Sequence, residues 1–154
     1  MSFTIDVYYY GHEGDPAVPA VARSFEDLDR IVGQIAAVEQ ANPPVLVAQE
    51  RPKYGPRRKP DHQIKIDLNG WAQVGAISYV GPAPDAPEGA IGSWVTRADR
   101  EIEAAPTLYL DKATRTEFPR NAVLPLDLVR QALQEFRETG ERPSCVGWQE
   151  FEVW

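Results

Sequence analysis

A chain of 154 residues suits one compact domain and leaves little room for two, so residues 1–154 are read as a single unit. With 43% hydrophobic and 25% charged residues it can bury a core and stay in water, which excludes disorder of the chain as a whole. A net charge of −7 opposes phosphate backbones and anionic lipid, so direct nucleic-acid or membrane binding is not expected, whereas a basic partner suits it.

Phe3, Ile5, Val7 and Tyr9 alternate with Thr4, Asp6, Tyr8 and Tyr10, the period of two of a half-buried strand. A Gly11–Pro16 loop breaks it. Ser24, three residues before Asp27, opens a helix close to a capping box, and Phe25, Leu28, Val32 and Ile35 share one helical face. Asn42, Pro43 and Pro44 stop that helix. Val45–Ala48 suits a short buried strand, and the Pro- and Gly-rich stretch 51–60 reads as a loop.

Ile64, Ile66 and Leu68 alternate again up to Asn69-Gly70, the preferred dipeptide of a two-residue type I′ turn. Such a turn pairs Leu68 with Trp71 and places Gln73, Gly75 and Ile77 on the same face. Residues 81–89 read as a loop, and 91–96 and 107–110 as short strands around an acidic connection. Leu126, Val129, Leu133 and Phe136 define a helix over 126–139, with Gly140 as its left-handed cap and Pro143 just beyond. Residues 144–154 read as a strand of mixed register, which admits a bulge. The expected fold class is α+β: a mainly antiparallel sheet of about six to seven strands with two helices packed on one side.

Cys145 is the only cysteine, so neither an internal disulfide nor a Cys-rich metal site can form. Residues 1–6 show neither the basic nor the apolar region of a signal peptide, and no stretch approaches the roughly 20 apolar residues of a membrane-spanning helix. The expectation is a cytoplasmic protein.

Catalytic signals are sparse. His12 and His62 are the only histidines. The loop Gly11–Asp15 could form a metal loop, an acid/base pair or a small-molecule site, but an exposed turn accounts for the same residues. Cys145 would need a neighbouring base to act as a nucleophile, and a small core residue is the simpler reading. Phosphate loops, nucleophile elbows and zinc-protease helices are absent, so no metal, cofactor or enzymatic activity is expected.

Two features suit binding instead. Arg51, Lys53, Arg57, Arg58 and Lys59 surround Tyr54, a composition that can hold phosphates and stack bases; a solvated loop is the favoured reading, since no helical or strand pattern presents the charges on a rigid face. Trp71, Trp94, Trp148 and Trp154 include candidate interface anchors. Trp94 stands out, with Asp85, Glu88, Asp99, Glu101 and Glu103 in the flanking loops as candidate contacts to a cationic cleft.

The stretch from Glu138 through Gly140, Arg142, Pro143, Val146 and Trp148 to Glu150 resembles the C-terminal signature of immunity protein family one of the bacterial polymorphic toxin systems: a helix, Gly-x-Arg-Pro, then Val-x-Trp. The helix from Leu124-Pro125-Leu126 through Val129, Arg130 and Phe136 is similar to the family's last helix. Val7–His12 and the helix from Ser24 resemble its opening. The resemblance implies an antidote that binds and blocks the C-terminal domain of a toxin encoded beside it, often a deaminase or another nucleic-acid-attacking enzyme with a basic cleft. Gly140, Arg142, Pro143, Val146 and Trp148 are then expected to be structural. Pro143 would end the helix, Arg142 would bond helix-end carbonyls or a carboxylate, and Trp148 would pack on the helix.

Overall fold

The computed structural model describes residues 2–12, 14–83 and 90–152. The opening alternation forms β1 (Ile5–Tyr8), which buries Ile5 and Val7. After the loop the chain returns antiparallel as β2 (Ala20–Ala22), a strand too short for periodicity to show. Helix α1 (Phe25–Ala37) follows, with the Ser24 hydroxyl accepting the Asp27 N–H at 3.1 Å and the Asp27 carboxylate accepting the Arg23 N–H at 3.0 Å. Leu28, Ile31, Val32 and Ile35 form its buried face. Phe25, expected on that face, is exposed because it lies in the first turn, beyond the edge of the core.

Strand β3 (Val45–Ala48) pairs with the other edge of β1. The stretch expected to be a loop closes into a two-stranded ribbon, β4 (Lys53–Tyr54) with β5 (Lys59–Pro60). Then come β6 (Gln63–Asn69), β7 (Val74–Pro82) and β8 (Ile91–Arg97). The expected loop 81–89 therefore begins later, since Gly81 and Pro82 still pair with β8. A small hairpin of β9 (Tyr109–Asp111) and β10 (Thr116–Glu117), a 3-10 turn (Arg120–Ala122) and β11 (Leu124–Pro125) lead into α2 (Leu126–Thr139). The last described strand is β12 (Gly147–Glu150), which pairs regularly with β8 and has no bulge.

The sheet order is β12-β8-β7-β6-β3-β1-β2, every pairing antiparallel, with β11 on the free end of β7. Both helices cover one face, where Ile5, Leu28, Ile66, Ile77, Tyr79, Leu133 and Phe136 meet in the main core. The fold is α+β, as its patterning implies. A smaller core on the opposite face joins Ala76, Val95, Leu110, Phe118 and Val123 beneath the β9–β10 hairpin. Thr96 fixes the point where β8 splays from β7. Its buried hydroxyl accepts the Ile77 N–H at 3.2 Å and donates to the Ala122 carbonyl at 2.8 Å, replacing a lost ladder bond. Among the described residues no helix is long and apolar enough to cross a membrane.

The β6–β7 connection departs most from expectation. Asn69 pairs with Val74 and Leu68 with Gly75, so the loop holds four residues and is not a type I′ turn. Asn69 accepts the Ala72 N–H through its side chain at 2.9 Å, and the Gln73 amide donates to the Gly70 carbonyl at 2.6 Å. Glycine at position 70 answers to packing: a Cβ there would sit 2.3 Å from the Ala36 carbonyl oxygen on α1. Trp71, expected to pair with Leu68, is lifted off the sheet and is 99% exposed.

Candidate functional site

The signature residues gather where α2 turns into β12. Gly140 takes φ 68°, the left-handed conformation open to glycine, and its N–H donates to the Phe136 carbonyl at 2.7 Å. Arg142 does not bond the helix end. Its guanidinium lies 4.6 Å from the Trp94 ring centroid and 5.8 Å from that of Trp148, a cation–π stack. The Pro143 carbonyl accepts the Trp148 indole N–H at 2.7 Å, Val146 is buried in the main core, and Tyr79 lies 6.2 Å from both tryptophan rings. Trp94 is thus half-buried and committed to internal contacts.

The helix end is instead bonded by Arg51, from outside the signature. It donates to the Gly140 carbonyl at 3.2 Å and forks onto both oxygens of Asp61 at 3.1 and 2.7 Å. Asp61 also accepts from His62 Nδ1 at 2.8 Å, while His62 Nε2 accepts the Ala48 N–H at 2.9 Å. That pair of bonds defines the tautomer: the ring carries its proton on Nδ1 and has no lone pair left for a substrate. Burial pushes the His62 pKa down and keeps the ring neutral, against the opposing pull of Asp61. Burial alone would raise the Asp61 pKa, but the bonds from Arg51 and His62 outweigh it and hold the carboxylate below its usual range. The arrangement resembles a catalytic relay in composition, yet both ends are anchored to backbone and it works as an internal brace.

Cys145 is equally committed. Burial, then the neighbouring Glu135 carboxylate, push its thiol up to about 11, the reverse of an activated nucleophile. Glu135 accepts from the Ser144 N–H and the Cys145 N–H, at 2.5 and 3.0 Å, pinning the segment before β12 to α2.

A cleft of about 700 Å³ opens beside His12, bordered by Tyr9, Arg30 and Gln34. The Asp15 carboxylate turns back onto its own loop, accepting the Ala17 N–H at 2.8 Å, and the Tyr9 hydroxyl donates to Gln34. Among the described residues no three His, Cys, Asp or Glu side chains converge to hold a metal.

The acidic candidates separate into distinct places. Asp99, Glu101 and Glu103 are exposed on the connection after β8, and Glu101 pairs with Arg120 at 3.1 Å. That connection packs Ile102 and Ala105 onto the smaller core, whereas Trp94 packs against the main core on the helix side. Trp94 instead borders an edge groove of about 430 Å³ with Ile91, Phe151 and Glu150. Asp85, Glu88 and Trp154 lie outside the described residues. In the β4–β5 ribbon, Lys53, Arg57, Arg58, Lys59 and Tyr54 are exposed, while Arg51 belongs to the brace.

The family model described as "Immunity protein Imm1" matches residues 16–150, from the loop before β2 to the last residue of β12. The chain belongs to the Imm1 immunity protein family. No curated protein matches it. The match leaves Val7–His12 outside and contains the signature cluster, both helices and the exposed β6–β7 tip. As an Imm1 member the chain is an immunity protein, whose role is to bind a cognate toxin. A family of that kind directs attention to surfaces more than to clefts, and the most exposed large apolar side chain described on this surface is Trp71.

Proposed function

We propose that this Imm1 protein neutralises its toxin by direct binding that covers the active site, in the cytoplasm and without catalysis of its own. The toxin is one that attacks nucleic acid, of deaminase or nuclease type, and so presents a basic substrate cleft. Charge placement carries the proposal. On a chain of net charge −7, Asp99 and Glu103 stand exposed on one connection, with Glu101 paired to Arg120 and Arg100 between them, and they can face cations without breaking a core contact. A field of that sign speeds encounter with a cationic cleft and disfavours wrong partners. The chemistry of His62 and Cys145 supports a binding role, since one ring is locked neutral by two hydrogen bonds and the thiol is held protonated.

Co-expression with the neighbouring toxin domain tests the reading. Growth should be rescued and the two chains should copurify. The association rate should fall by about tenfold or more between low and high salt, as steered encounters do. Continued killing with no copurified complex would overturn the proposal.

A further inference from the structure

We propose that Trp71 is the anchor by which the chain grips its toxin, entering an apolar slot on the toxin that carries at least one carboxylate on its rim. The inference rests on the immunity reading and adds the surface and the chemistry of the partner. An indole that is 99% exposed contributes nothing to the core, yet the loop that carries it is braced at several points. Asn69 and Gln73 close the loop through side-chain bonds, Gly70 lies against the Ala36 carbonyl of α1, and the Gln73 carbonyl accepts the first N–H of α2, from Leu126, at 2.9 Å. The tip is thus tied to both helices, and the side chain it presents has little backbone freedom left to lose on binding. Rigid presentation of a large aromatic is the economical way to build a binding hot spot.

The surroundings specify the partner. Trp71 stands between two hollows, of about 780 and 420 Å³. Lys112 and Arg115 line the first together with Glu39 and Asp67, and Arg130 lines the second, so three cations stand against two carboxylates around Trp71. Lys112 is turned in to the Gln40 carbonyl and Arg130 is paired with Asp29 at 2.8 Å. Arg115, exposed on the β9–β10 turn, has no ion pair among those described and is the cation open to a partner's carboxylate. Asp67, which also borders the larger hollow, is buried; burial pushes its pKa up, and its carboxylate accepts the Tyr109 N–H at 2.7 Å. Val38, also exposed, extends the apolar rim of the larger hollow. That hollow is lined by Thr107 and Leu108, into which the acidic Asp99–Glu103 connection leads. The exposed Arg115 beside an acidic connection would orient a partner whose basic cleft adjoins a carboxylate-edged apolar slot.

The test measures affinity of the full chain for the neighbouring toxin domain, inactivated by substitution, using wild type, Trp71→Ala and Arg115→Glu. Trp71→Ala should weaken binding about 30-fold or more, equivalent to about 2 kcal/mol, with its melting temperature unchanged. Arg115→Glu should weaken it at least about fivefold, as like charges meet across the interface. Equal affinities for wild type and Trp71→Ala would overturn the surface while leaving the immunity reading standing. Loss with Trp71→Ala but not with Arg115→Glu would overturn the carboxylate rim. Absence of binding by the wild type would overturn both the surface and the reading beneath it.

Discussion

Replacing Arg51 by methionine is expected to cost the fold about 3–5 kcal/mol, the penalty for stranding a buried charge. Asp61 is only 7% exposed at its side chain and receives both oxygens' worth of bonding from the Arg51 fork. Without the guanidinium the carboxylate keeps one bond, from His62, and the Gly140 carbonyl at the end of α2 loses its donor. Urea denaturation of Arg51→Met should show a lower midpoint at unchanged slope. The double variant Arg51→Met/Asp61→Asn should recover more than half of the loss, because a neutral amide can still accept from His62 and no uncompensated charge remains.

The brace also sets a pH dependence. Both His62 and Asp61 have folded-state pKa values below their unfolded ones, so the unfolded chain binds more protons and stability rises with pH. The His62 contribution is present above about pH 6.5 and is lost on acidification toward its lower folded value. The Asp61 contribution is present above about pH 4 and is lost below that, as its carboxylate protonates. Each group contributes a slope of up to about 1.4 kcal/mol per pH unit within its window. In Arg51→Met the His62 part should shrink, since the removed cation is one of the groups that disfavours a protonated ring.

Gly70→Ala is expected to cost about 2–3 kcal/mol, a large effect for one methyl group on a surface loop. The new Cβ would lie 2.3 Å from the Ala36 carbonyl oxygen, and backbone cannot swing aside as a side-chain end does. Relief requires the β6–β7 tip to lift from α1, which also strains the bond from Leu126 N–H to the Gln73 carbonyl at the start of α2. A stability change close to zero in thermal melts would mean that the loop relaxes locally. If the tip presents the anchor as inferred, the same substitution weakens toxin binding without touching Trp71.

What was readable in the sequence was local. The boundaries of α2 follow from a 3.6-residue apolar period ending in a glycine that only a left-handed cap explains, and the Ser24 cap places the start of α1. Alternation marked β1 and β6. The failures share a cause in tertiary contacts that no window spans. Asn69-Gly70 carries the signature of a two-residue turn, but its glycine answers to α1, 34 residues upstream of it at Ala36, and that contact lengthens the loop and turns Trp71 outward. In the sequence Arg51 is one of five loop cations, because its partners, Asp61 and the Gly140 carbonyl, lie 10 and 89 residues away. Arg142 is nearer in sequence to the helix end that Arg51 bonds, and proximity in sequence cannot reveal two tryptophans arriving from β8 and β12 to stack on it. Strands such as β2, β4 and β5 have too few residues for any period to register.

The most direct test of neutralisation by binding is a titration of the cognate toxin's activity with the purified protein. Activity should fall in proportion to added protein and vanish near one equivalent, as expected for a tight complex that covers the active site. Full activity in the presence of a large excess would contradict neutralisation by binding, however well the chain folds.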